Sequence, residues 1–241
     1  MGHPGWVSVP ALNSTRYAEV FNETKSMGSL NSAVRTADQT SYALFRNASY
    51  FWDSLAVSSG KQRHQTWLQN ARILGLLNIA MAEAAIACWE AKYYYVFWRP
   101  VTAIPLADSD GNAATTPEAN WEPLFATPAH PEYPAGHSTV SSAATRVLAH
   151  FFGNRTSFDL TSDVMLGVVR SFSSFSDALH EVTNARVFAG IHFRTACEDG
   201  EVTGKALADY ILANAVRPEE DDDMNPWSTY AASLSFESEV T

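Results

Sequence analysis

Three groups of residues in this chain have the types and spacing needed to hold a multiply charged oxyanion. Lys92 and Arg99 lie seven positions apart, which is two helical turns, so a helix running through them puts both cations on one face. Pro134-Ala135-Gly136-His137 runs straight into an Ala/Val/Ser-rich helical pattern. At such a junction the first amides of the helix have no intrahelical partner, and the macrodipole adds roughly half a positive charge. Backbone N–H groups alone can then bind a tetrahedral anion. Gly136 allows close approach, and His137 stands beside the anion as proton donor or acceptor. Arg186 and His192 form the third group, in Ala185-Arg-Val-Phe-Ala-Gly-Ile-His192. Each piece alone has a plain structural reading: two cations near a helix C-terminus, a Pro-Gly turn capping a helix, a core histidine. The chemistry belongs to the set.

The elements that must position these groups are helical. The longest runs from about His64 to Phe97, where Trp67, Ala71, Leu74, Leu77, Ala80, Met81, Ala84, Ala85, Cys88 and Ala91 keep a helical period. Pro100 ends it. Because it is apolar nearly all round, it is expected at the centre of a bundle, where Glu83 or Glu90 would need a buried Arg partner. A second helix follows the anion turn, Ser138 to Phe152, and stops at Gly153. Helical spacing also marks Ser32 to Asp53, Phe172 to Val187 and Val202 to Val216, with a short helix around Tyr17 to Lys25. The proline-rich stretch from Val101 to Tyr133 reads as ordered loop, and Asp108-Ser-Asp-Gly-Asn within it reads as a turn, since its glycine comes too early for a calcium loop. No segment alternates usefully with period two, so the expected fold class is all-α, a helical bundle. Its expected organisation is an N-terminal loop region over 1–31, a helical domain over 32–218 and an acidic tail over 219–241. The chain opens in a Pro/Gly loop with no lead-in element, which suggests that N-terminal sequence is missing.

At 241 residues and 46% hydrophobic composition, the chain can bury a full core. Its net charge of −10 argues against nucleic-acid binding through a basic face, so a bound anion must be met by local cations. Cys88 and Cys197 have no metal-ligand spacing; they read as buried thiols or one bridge. No stretch reads as a membrane span, because the apolar run from Ile73 meets Glu83 and Glu90. The sequons at Asn13, Asn22, Asn47 and Asn154 favour a secretory compartment.

Other chemistries fail simple tests. His180-Glu181 lacks the second histidine of a zinc helix, and there is neither a G-x-S-x-G elbow nor a Gly-rich phosphate loop followed by Lys. His3, His64, His130 and His150 belong to no constellation and read as structural or surface residues. In contrast, Lys92-x6-Arg99-Pro100, Pro134-Ala-Gly-His137 and Arg186-x5-His192 resemble, in order and spacing, the three-part signature of the vanadium-dependent haloperoxidase and type 2 phosphatidic acid phosphatase (PAP2) superfamily. Phe97-Trp-Arg-Pro-Val-Thr-Ala-Ile, Pro131-Glu-Tyr-Pro-Ala-Gly-His-Ser-Thr, Arg170-Ser-Phe-Ser-Ser-Phe-Ser and Gly190-Ile-His-Phe-Arg look like its soluble haloperoxidase-like branch.

The resemblance implies a bundle holding vanadate as cofactor, or phosphate in the same site. Lys92, Arg99 and Arg186 would neutralise the equatorial oxygens, and the turn at Ala135 and Gly136 would supply an amide donor. His192 would be the metal ligand, or the nucleophile of a phosphatase, and His137 the catalytic acid/base. The implied activity is oxidation of halide by hydrogen peroxide to halogenate a small organic acceptor. The alternatives are a soluble acid phosphatase working through a phosphohistidine, or an inactive remnant. Two positions depart from the pattern. Ala135 stands where a serine would donate a hydroxyl, and Ala196 where an aspartate would orient the axial histidine. Glu198, Asp199 or a residue elsewhere would have to replace it.

Overall fold

The computed structural model describes residues 9–45 and 51–217. His3, the sequon at Asn47 and the acidic tail lie outside the described residues.

The longest helix, α4 (Trp67–Tyr95), starts at a capping box. The Gln69 amide donates to the Thr66 hydroxyl at 3.3 Å, and the Thr66 amide donates to the Gln69 side chain at 2.8 Å. It ends where Val96 takes a left-handed conformation, and Pro100 then opens the single turn α5 (Pro100–Ala103). Ahead of α4 lie α1 (Thr15–Met27), α2 (Ala37–Phe45) and α3 (Phe51–Gln62). After the proline-rich loop come α6 (Gly136–Phe152), α7 (Phe175–Phe188) and α8 (Arg194–Asn214). Helix α6 is central, packed against α4, α7 and α8. Its Ala143, Ala144, Val147 and Leu148 meet Leu76, Leu77 and Ala80 of α4, Phe175 and Val182 of α7, and Ala208 of α8 in one core.

Small residues set the spacing of α6 and α8. A Cβ on Gly204 would run into the Thr139 carbonyl, and one on Gly200 would lie 3.0 Å from the Ala135 carbonyl. The anion turn at the head of α6 is thus fixed by contact with α8. Gly204→Ala should lower unfolding stability by about 1–3 kcal/mol, the usual cost of overpacking. An unchanged denaturant midpoint would show that α8 can slide.

The all-α helical bundle is as expected, and four details are added or adjusted. First, β1 (Phe158–Thr161) and β2 (Val169–Phe172) form an antiparallel hairpin beside the helices, with Phe158 opposite Phe172. Strands of four residues are too short to show alternation over a useful window. Second, the short helix expected around Tyr17 to Lys25 is the 13-residue α1, capped by the Ser14 hydroxyl, and of the helix expected from Ser32 the first five residues are not helical, α2 beginning at Ala37. Third, α4 is not buried all round. Ile73, Leu76, Leu77, Ala80, Ala84, Cys88 and Ala91 face the core, while Trp67, Ile86 and Tyr93 are 95%, 61% and 62% exposed. Glu83 and Glu90 lie on the exposed side and need no buried partner. Hydropathy could not choose the inner face of a helix that is apolar on both. Fourth, by length and composition the segment Trp67–Ala103 is apolar enough to cross a bilayer, although α4 packs here as a bundle helix against α6 and α8.

Candidate active site

At the head of α6 the helical ladder begins with the Thr139 amide donating to the Ala135 carbonyl at 3.0 Å. The amides of residues 136–138 precede that bond and face the end of the helix. The turn before it contains the cis Tyr133–Pro134 bond and is tied to α8 by the Ala135 amide, which donates to Ala196 O at 2.9 Å. Ala135 is fully buried in an apolar cluster with Tyr133, Val187, Ala196 and Cys197. Its role in this structure is to build the turn.

The end of α4 and the start of α5 deliver two buried cations. Lys92 Nζ donates to the carbonyls of Pro131, Glu132 and Pro134 at 2.9, 3.0 and 2.5 Å. Three bonds occupy all three ammonium donors. Lys92 therefore clamps the loop that leads into the anion turn, and burial pulls its pKa down to about 8. Arg99 Nη1 donates to Ile191 O at 2.7 Å and to His192 Nε2 at 3.0 Å. Its Nε donates to His130 O and its Nη2 to His130 Nδ1, both at 3.0 Å.

His192 lies just past Gly190, whose φ of +72° turns the chain after α7. Its carbonyl accepts the Thr24 hydroxyl of α1 at 3.3 Å. The ring is buried between two partners, Arg99 at Nε2 and Glu132 Oε1 at Nδ1, 3.0 Å away. A guanidinium can only donate. Nε2 is therefore the bare, accepting nitrogen, and Nδ1 carries the proton and donates it to Glu132. Burial first, then Arg99, Lys92, Arg186 and His137, hold the His192 pKa well below its ordinary value, so the ring is neutral. Glu132 is completely buried, and burial pushes its pKa up to about 7 against the opposing pull of the Phe193 amide, Lys92 and Arg99.

A cavity of about 450 Å³ opens beside these groups, lined by Gly136, His137, Arg186, His192, His130 and Trp89 among others. The residues fit a tetrahedral oxyanion. Arg186 is buried at the wall, Gly136 opens the helix, and a Cβ on Gly136 would close to 3.0 Å from the Trp89 ring. The structure thus brings Gly136, His137, Arg186 and His192 onto one cavity and sets Arg99 against His192. It places Lys92 and Ala135 behind the loop.

Residues 72–219 match the family described as the VCPO second helical-bundle domain. The chain belongs to that family. Among curated proteins this VCPO-type bundle is 22% identical to vanadium chloroperoxidase of Curvularia inaequalis, over 52% of this chain and 27% of that protein. Among solved structures it is similar to a bacterial vanadium-dependent iodoperoxidase, with TM-score 0.71 and 28% identity over 87% of this chain and 52% of that one. A bacterial vanadium-dependent chloroperoxidase shares the fold, with TM-score 0.67, 17% identity and 87% and 51% coverage. The chain spans about half the length of these structural relatives and about a quarter of the curated one.

Sequence reasoning missed three residues of this bundle's site. Glu132 was legible only as an acidic residue between two prolines ahead of the anion turn. His130, read as structural or surface, lines the cavity and packs tilted against Trp89 with ring centroids 5.0 Å apart. Trp89 lay among the aromatic residues of an apolar helix with nothing to mark it. The carboxylates expected to orient His192 are engaged elsewhere: Glu198 with Arg16 at 2.5 Å, and Asp199 with the Tyr133 hydroxyl at 2.8 Å. Cys88 and Cys197 are buried free thiols.

Proposed function

We propose that this chain acts as a vanadium-dependent haloperoxidase, using hydrogen peroxide to oxidise halide and so halogenate a small organic acceptor. The observation that carries this reading is the neutral, buried His192 with its bare Nε2 beside a cation-walled cavity. Nε2 has the lone pair that a metal ligand needs, and a protonated ring would have none. Arg99 and Arg186 would offset the charge on the oxygens of bound vanadate, and the first amides of α6 would donate to one of them. Lys92, committed to three carbonyls, would add its charge from behind the loop. When bound, vanadium supplies the Lewis acidity that polarises peroxide for halide attack. His137, half-buried at the cavity wall, is placed to take or return a proton.

The same features suit phosphate, with Nε2 as nucleophile toward a phosphate ester. Vanadate and phosphate should compete for one site, because guanidinium groups and a helix N-terminus recognise charge and tetrahedral shape. Titrating vanadate into phosphate-saturated protein should raise its apparent dissociation constant in proportion to phosphate; an unchanged value would mean separate sites. Protein reconstituted with vanadate is then assayed with peroxide and chloride, bromide or iodide, beside a phosphate-ester assay. Ester hydrolysis without halide oxidation would favour the phosphatase, and silence in both would overturn the enzymatic reading.

A further inference from the structure

We propose that Glu132 is the positioning residue of this site: it holds His192 by the Nδ1 proton and keeps Nε2 bare and aimed for its ligand. The inference rests on the vanadate-site reading for its consequence, but not for its geometry. Glu132 Oε1 lies 3.0 Å from His192 Nδ1 and accepts the amide of the next residue, Phe193, at 2.9 Å. One oxygen thus grips both the ring and the backbone that carries it. The ring cannot turn about its side-chain bonds without breaking a bond to a fully buried carboxylate.

Glu132 is itself pinned on both sides. Its amide donates to Phe97 O at 3.0 Å, and its carbonyl accepts from Lys92 Nζ at 3.0 Å. The clamp of Lys92 on Pro131, Glu132 and Pro134 therefore has a purpose at the other end of the glutamate, holding the carboxylate at a set distance from α8's entry. Burial of a carboxylate is expensive, and here the second oxygen, Oε2, has no hydrogen-bond partner among the described residues. A fold that only needed to fill this space would do better with an apolar side chain. The position of Oε1 shows what the cost secures.

Arg99 now donates to Nε2 and would share in setting the tautomer. An anion entering the cavity competes for that guanidinium, whereas the Glu132 bond is on the opposite side of the ring and survives. Glu132 is then the group that fixes the tautomer while the site is loaded. Partners of this kind typically change metal affinity by about 10- to 100-fold when removed.

The test uses the whole chain, labelled with nitrogen-15 at histidine. In the anion-free parent, nuclear magnetic resonance of the His192 imidazole should show Nδ1 protonated, with a slowly exchanging downfield proton, and Nε2 bare. Glu132→Leu, which keeps most of the volume, should lose the protected Nδ1 proton and weaken vanadate binding by about 10- to 100-fold in calorimetry. Glu132→Gln should recover the protected proton, because its amide oxygen must still face the Phe193 N–H. A filler role alone would change the melting temperature and leave tautomer and proton exchange in place. A proton on Nε2 in the parent would overturn the proposal, without need of any variant. So would a Glu132→Leu protein that binds vanadate as tightly as the parent. If the parent binds no vanadate, the haloperoxidase reading falls, and the imidazole spectrum still decides what Glu132 does.

Discussion

His192→Ala should reduce halide oxidation and any phosphate-ester hydrolysis together, by on the order of 10³-fold or more, because the group proposed to bond the central atom would have no substitute in the pocket. The geometry supports the severity. His192 is the cavity residue whose bare nitrogen is directed by partners on both ring edges, Arg99 and Glu132. His130 is half-buried on the same cavity, but its Nδ1 is taken by Arg99 at 3.0 Å. The substitution also has a structural cost. It leaves the Glu132 carboxylate with the Phe193 amide alone, a loss of about 1–3 kcal/mol for a buried acceptor deprived of a donor. Turnover must therefore be compared below the melting transition, after circular dichroism has shown the helices intact. A folded His192→Ala protein that oxidises bromide at the parental rate would place the chemistry elsewhere.

The three spaced motifs were legible because each rests on a local rule. Seven residues separate Lys92 from Arg99, a proline and a glycine announce the start of α6, and Gly190 marks the turn between Arg186 and His192. What the sequence did not carry was direction. Lys92 lies on the expected helix and is completely buried, yet its ammonium points to three loop carbonyls. Periodicity assigns a face to a residue and says nothing of which acceptor lies opposite. Glu132 was hidden for the related reason that its partner is 60 residues away, a contact created by packing α8 on α6. The outward face of α4 is not legible from hydropathy because its exposed Trp67, Leu68 and Ile86 are as apolar as the residues turned inward.

His137→Ala should separate rate from affinity. His137 is half-buried on the cavity wall in the first turn of α6, beside Gly136. In the proposed site His137 would stand next to the oxyanion, and the bond to the central atom would fall to His192 Nε2. Removing a general acid or base typically costs about 10²- to 10⁴-fold in rate. The cations Arg99 and Arg186 and the amide of Gly136 would remain, so vanadate affinity should change by less than about tenfold, the worth of one hydrogen bond to a charged group. The contrast with His192→Ala is the informative part: one variant keeps the anion and loses the rate, the other loses both. The fold should tolerate the change, since His137 is not part of the α4–α6–α8 core. Calorimetric vanadate binding and bromide oxidation, measured on the same preparation, check it. If affinity and rate fell by the same factor, His137 would be a ligand of the anion and proton transfer would need another group, for which His130 lies on the same cavity wall.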